Sequence, residues 1–255
     1  MHKETIDERL TESLKELHLP TIRKSYKQQR ETAIKESLSY EEYLLELIEM
    51  ELEVRKENKI NRLLRESKLP LEKTLKNFDR KRLPRKLDMQ LNSLMDGSFL
   101  NRKENVLAFG NPGSGKTHLL CAIANEIIYQ GRRVLFKPCN ILVQELLIAK
   151  KDLRLPKILN QLSRFELIII DDIGYVQQNR EEMEVLFTLL ADRYERGSIM
   201  LTSNLPFSKW VQIFKDPMTT AAAIDRLVHH SVILELNLPS YRLEESQKQK
   251  VQVTQ

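Results

Sequence analysis

Gly110-Asn-Pro-Gly-Ser-Gly115-Lys116-Thr117 fits the phosphate-loop pattern G-x-x-x-x-G-K-[ST] at every defined position. The chemistry needs glycines because successive backbone N–H groups must turn inward around phosphates. A Cβ at Gly113 or Gly115 would block that nest or its close approach. The short apolar run Asn105-Val-Leu-Ala-Phe109 precedes the loop, and Thr117 to Gln130 reads as a helix ended by Gly131. Strand, glycine loop and helix is the arrangement that sets phosphates on a helix N-terminus. The predicted nucleotide site is Gly110, Asn111, Pro112, Gly113, Ser114, Gly115, Lys116 and Thr117, with His118 in the first helical turn. Lys116 is expected on the β and γ phosphates and the Thr117 hydroxyl on Mg²⁺.

Working outward, residues 105 to 255 alternate short apolar runs with helical patterns, which predicts an α/β fold with a parallel sheet. Strands are expected at 105 to 109, 133 to 137, 167 to 171, 199 to 203 and 231 to 235. Upstream the pattern is purely helical. Ile6, Leu10, Leu14 and Leu17 form a stripe that stops at Pro20, and a second helix is expected from Ile22 to about Ser37. Ser39 and Glu42 have capping-box spacing and open a long helix to about Arg65, striped by Leu44, Leu47, Ile48, Leu52, Ile60, Leu63 and Leu64. The expected organisation is a helical domain at 1–69, a connector at 70–104 and a nucleotide domain at 105–255.

The 255 residues are 41% hydrophobic and 30% charged, with seven glycines, as expected of a helix-rich cytoplasmic protein. No apolar run is long enough to cross a membrane, and the first residues lack the apolar core of a signal peptide. Cys121 and Cys139 are the two cysteines, too few for a disulfide framework or a cysteine-rich zinc site. The net charge of +5 sits mostly in the connector, where 70–104 carries nine basic and five acidic residues. Its densest part, Lys76 to Lys86, includes Arg80, Lys81 and Arg82. A basic stripe of this kind permits a nucleic-acid partner.

Leu167-Ile-Ile-Ile-Asp171-Asp172 reads as a buried central strand delivering two acids to the C-terminal sheet edge. Asp171 is expected to hold Mg²⁺ beside Thr117, and Asp172 to polarise the attacking water. The strand after it ends in Thr202-Ser-Asn204, whose tip would lie beside the acids, so that Asn204 could orient the water. Arg226 and Arg242 are candidate cations for charge developing at the γ phosphate, Arg226 from a neighbouring subunit.

These motifs together, with Ile170-Asp-Asp-Ile-Gly-Tyr175, Asp192-Arg-Tyr-Glu-Arg-Gly197, Arg226-Leu-Val-His-His230 and Thr74-Leu-Lys-Asn-Phe-Asp79, resemble the AAA+ branch of DnaC-type helicase loaders and IstB-type transposition helpers. The likeness is closer to IstB and covers nearly the whole chain. It implies an AAA+ P-loop ATPase with a five-stranded parallel sheet that assembles with ATP on duplex DNA, remodels it and engages a transposase. A loader of a replicative helicase is the alternative the same resemblance allows. By position, Lys116 and Thr117 match Walker A, Asp171 and Asp172 Walker B, Asn204 sensor 1, Arg226 the arginine finger acting in trans in a homo-oligomer, and Arg242 sensor 2. In the wider AAA+ pattern the second acid is usually glutamate. Asp172 is one methylene shorter, which implies slow hydrolysis. Nineteen residues after Leu236 are too few for the usual helical lid, which is expected to be reduced or absent.

ATPases of this group that hold DNA insert helices between the second strand and Walker B. That region here clusters Lys150, Lys151, Arg154 and Lys157 without interleaved aromatics. Duplex backbone binding by these residues and the connector is the expectation, because phosphate contacts need only positive charge.

Overall fold

The computed structural model describes residues 5–173, 180–210, 217–241 and 243–244. The chain divides into two compact units, Met1–Arg62 and Leu63–Gln255, the division falling within one long helix.

In the first unit α1 (Ile6–Glu16), α2 (Pro20–Glu36) and α3, which runs Tyr40–Ser67, follow the predicted stripes. Thr5 and Glu8 close a capping box on α1, and Ser39 and Glu42 make the reciprocal pair on α3, at 2.7 and 3.2 Å. Leu14, Ile22, Tyr26 and Leu47 form a small core. The stripes are only partly used: Ile6 is 85% exposed and Leu17 67%. Glu51 is buried and caps α2, accepting from Thr21 N at 2.8 Å and Ile22 N at 3.2 Å, with Arg55 Nε on its other oxygen at 2.8 Å.

The second unit is built on five parallel strands: β1 (Asn105–Gly110), β2 (Val134–Pro138), β3 (Leu167–Ile173), β4 (Ser198–Ser203) and β5 (Ser231–Leu236). Their order is β2-β3-β4-β1-β5. Leu167 to Ile170 are fully buried, as a strand covered on both faces requires. One face is packed by α4 (Arg85–Met95), α5 (Ser98–Asn101) and α6 (Lys116–Tyr129). Residues 70–104 thus join the core of this unit: Leu83, Leu87, Leu91, Leu94, Phe99 and Leu100 are all buried. The other face is packed by α7 (Cys139–Lys151), α8 (Leu155–Leu162), α9 (Arg180–Arg193) and α10 (Pro217–Val228). Among the described residues no helical lid follows β5, and no helix is long and apolar enough to cross a membrane.

Arg193, 2% exposed, donates to the carbonyls of Leu162, Phe165, Glu166 and Ser198 at 3.0 to 3.2 Å, tying the end of α8 to β3 and β4. Burial lowers its pKa to about 10, which leaves it charged at neutral pH. Burial also pushes the Cys121 thiol up to about 12, so that cysteine is an inert core residue.

Candidate active site

Strand order determines which side chains meet. β4 lies between β1, which delivers the glycine loop, and β3, which delivers the acids. The polar tip of β4 therefore sits between loop and acids. Lys116 Nζ donates to Gly110 O at 2.8 Å, Asn111 O at 2.9 Å and Asn204 Oδ1 at 2.6 Å. The Asn204 amide donates in turn to Asp172 Oδ1 at 2.9 Å. One asparagine thus links the loop lysine to the outer acid.

Asp171 is held from two sides. Its Oδ1 accepts from the Thr117 hydroxyl at 2.7 Å and from the Thr202 hydroxyl at 2.8 Å. The Thr202 oxygen also accepts the Asp172 N–H at 2.7 Å. Between Ile170 and Ile173 the β3–β4 register slips by one residue, a bulge in which Asp172 takes φ 64°. A bulge re-aims side chains at the end of a strand. Here consecutive residues both reach the phosphate-loop end of the sheet, Asp171 at Thr117 and Asp172 at Asn204.

The loop has the shape that a phosphate group requires. Gly110 has φ 150°, and a Cβ there would lie 2.2 Å from Leu236 O. Gly113 has φ 78°, and its Cβ would lie 2.1 Å from Ser240 Oγ. Ser114 Oγ, in the loop that lines the cavity, is buried with no hydrogen-bond partner among the described residues. The helix α6 starts at Lys116 and presents its N-terminal dipole to the same space. The oxygens of Thr117 and Asp171 form a hard donor pair of the type Mg²⁺ takes.

A second wall of the site carries residues that sequence reading did not assign to it. The cavity beside the loop is lined by Lys73, Asn77, Phe78 and Arg82 of the connector and by Leu238 and Tyr241 after β5. His118 Nε2 lies 2.9 Å from Thr74 O, and a carbonyl only accepts, so this nitrogen carries the proton. Phe78 packs edge-on to the His118 ring at 5.2 Å. Tyr241 N donates to Gly113 O at 3.0 Å, and Arg82 donates to Pro239 O at 3.0 Å and Glu244 at 3.1 Å. Connector and C-terminal segment thus converge on the phosphate loop. The Thr74 to Asp79 phrase was the signal available in the sequence.

The remaining predicted residues lie elsewhere. Arg226 is exposed near the C-terminal end of α10, beside Asn105, Tyr194 and His230 at the opposite edge of the sheet from the loop. It does not reach the site of its own chain. Arg242 lies outside the described residues. On the α7–α8 hairpin, Lys150 pairs with Glu184 at 2.8 Å and Arg154 with Asp152, while Lys151 and Lys157 are exposed. In the connector Arg80 is engaged by Asp88 at 2.6 Å and Asn92 at 2.8 Å, and Lys81 is exposed.

The five-stranded parallel sheet, the glycine loop and the acids at the end of β3 define an α/β protein of the AAA+ P-loop class. Residues 12–249 match the family model described as IstB-like ATP binding protein, and the chain belongs to that family. It is 42% identical over 248 residues to a Sinorhizobium fredii protein named as an insertion sequence ATP-binding protein, covering 96% of this chain and 83% of that one. It is 41% identical over 221 residues to the ATP-binding protein of insertion sequence IS21 from Pseudomonas aeruginosa, covering 86% and 82%. Among solved structures the fold is similar to the DnaC helicase loader, with a TM-score of 0.55 at 18% identity over 65% of this chain and 97% of that one.

Proposed function

We propose that the protein is the ATP-dependent helper of an insertion sequence, which oligomerises on duplex DNA, remodels it and recruits or stimulates the transposase. The observation that carries this reading is the linked set Lys116, Asn204, Asp172, Asp171 and Thr117 in a chain of the IstB-like ATP binding family. Lys116 binds the β and γ phosphates, exchanging its loop carbonyl partners and Asn204 for phosphate oxygens. Thr117 and Asp171 hold Mg²⁺, which supplies charge neutralisation at the phosphates when bound there. Asn204, once released by Lys116, orients water with Asp172, the acid that accepts its proton. The short aspartate side chain gives slow hydrolysis, which suits a switch more than a motor.

Arg226, remote from its own loop, serves the site of a neighbouring copy as the cation that stabilises developing charge. Lys150, Lys151, Arg154 and Lys157, together with Lys81 and its neighbours Arg80 and Arg82, contact duplex phosphates. Such binding is indifferent to sequence and falls with salt. The test is capture on immobilised duplex: with ATP present the protein should retain the transposase encoded beside it, and Lys116→Ala should retain none. Capture of a replicative helicase in its place would overturn the transposition reading.

A further inference from the structure

Resting on the duplex-binding reading above, we propose that Leu153 is an aliphatic wedge. It enters between base steps while the lysines around it hold the flanking phosphates, so that the α7–α8 hairpin kinks the duplex it binds. The geometry of the turn carries the inference. Arg154 N donates to Ala149 O at 2.7 Å and Leu153 N to Lys150 O at 3.1 Å, closing α7 with Leu153 in the left-handed conformation, φ 55°. That position favours glycine, because a Cβ is disfavoured there. The sequence instead carries a leucine that is 90% exposed, so it gains no burial in return. The other non-glycine residues with positive φ among those described are His18, Ser37, Lys68, Lys103, Asp172 and Glu195, all polar. Leu153 stands apart from them, and neither folding nor packing accounts for it.

Its surroundings indicate the occupant. Lys151 and Lys157 are exposed on either side of it in sequence, Lys150 pairs with Glu184 and Arg154 with Asp152, and Ile148 on α7 is 57% exposed. An apolar tip flanked in sequence by four basic residues against the one acid Asp152 matches a polyanion with an apolar stacked interior. Proteins that kink duplex DNA insert leucine, isoleucine or methionine between base steps in this way, while cations hold the backbone. A purely electrostatic grip would have no use for the leucine.

The test reads affinity and bending separately, on one short duplex labelled at both ends, with the full chain and ATP. Leu153→Gly relieves the backbone, so it folds at least as well as the parent. It should bind within about threefold of the parent, since the phosphate contacts supply most of the affinity, yet lose the energy-transfer signal of the bend. Leu153→Met should keep the bend. Lys151→Glu with Lys157→Glu should lose binding itself, close to tenfold per phosphate contact at about 0.1 M salt. A bend unchanged in Leu153→Gly overturns the wedge and leaves the duplex reading standing. Loss of self-assembly by Leu153→Gly in the absence of DNA makes the tip a contact between copies and also overturns the wedge. A parent protein that binds no duplex overturns both readings.

Discussion

The Thr202 hydroxyl donates to Asp171 Oδ1 at 2.8 Å, the same oxygen that accepts from Thr117. Because that hydroxyl also accepts the Asp172 N–H, a single buried side chain sets the direction of one acid and the backbone turn of the next. Thr202 is therefore a positioning residue of the site. Thr202→Val keeps the shape but orphans the Asp172 N–H, at a cost of about 1–3 kcal/mol. ATP turnover should fall at least tenfold while nucleotide binding persists, and Thr202→Ser should restore most of it. Turnover in Thr202→Val equal to the parent would show that the bulge holds without this bond.

Asp172→Asn tests the division of labour between the acids. The substitution keeps a side chain that can pair with Asn204 but removes the carboxylate, so ATP binding and assembly on duplex should survive while phosphate release stops. Equal phosphate release in both proteins would remove Asp172 from the chemistry.

Gly110→Ala tests the close approach of β1 to the end of β5. The added Cβ would lie 2.2 Å from Leu236 O, a backbone atom that cannot move without disturbing the β1–β5 pairing. A loss of about 2–4 kcal/mol is expected, measured by denaturant unfolding. Gly113→Ala meets the Ser240 side chain instead, so it should weaken nucleotide binding with a smaller loss of stability.

The Glu51 cap makes the first unit acid-sensitive. Burial pushes this carboxyl up, but Arg55 and the N–H groups of Ile22 and Thr21 outweigh it and hold its pKa below the ordinary range. The unfolded chain therefore binds more protons than the folded one in that window. The stabilisation is complete above the ordinary glutamate value, about 4.3, and is lost as pH falls through the lower folded value. The protection factors of the α2 amides, taken as exchange normalised to the intrinsic rate at each pH, should fall on acidification, and Glu51→Gln should remove that pH dependence.

Much of the site was legible in the sequence because it is local. The phosphate loop, the apolar run ending in Asp171 and Asp172, and the Thr202 to Asn204 tip each declare themselves within a few residues. Strand order was not local, and it is what sets Asn204 between Lys116 and Asp172. The wall built from Phe78, Arg82 and Tyr241 was illegible for the same reason: its partners are separated by some 160 positions, as the Arg82–Glu244 pair shows. The bulge left no pattern, since two consecutive aspartates read equally as a strand end. Helical stripes predicted α1 and α3 but not their covered face, and residues such as Ile6 proved exposed.

The most direct test of the central claim is the particle mass of the full chain on a short random duplex, compared with ATP, with ADP and without nucleotide. A large, defined multimer with ATP alone, absent in Lys116→Ala and reduced in Arg226→Ala, is the predicted result. A protein that binds ATP yet stays monomeric on every duplex would contradict it.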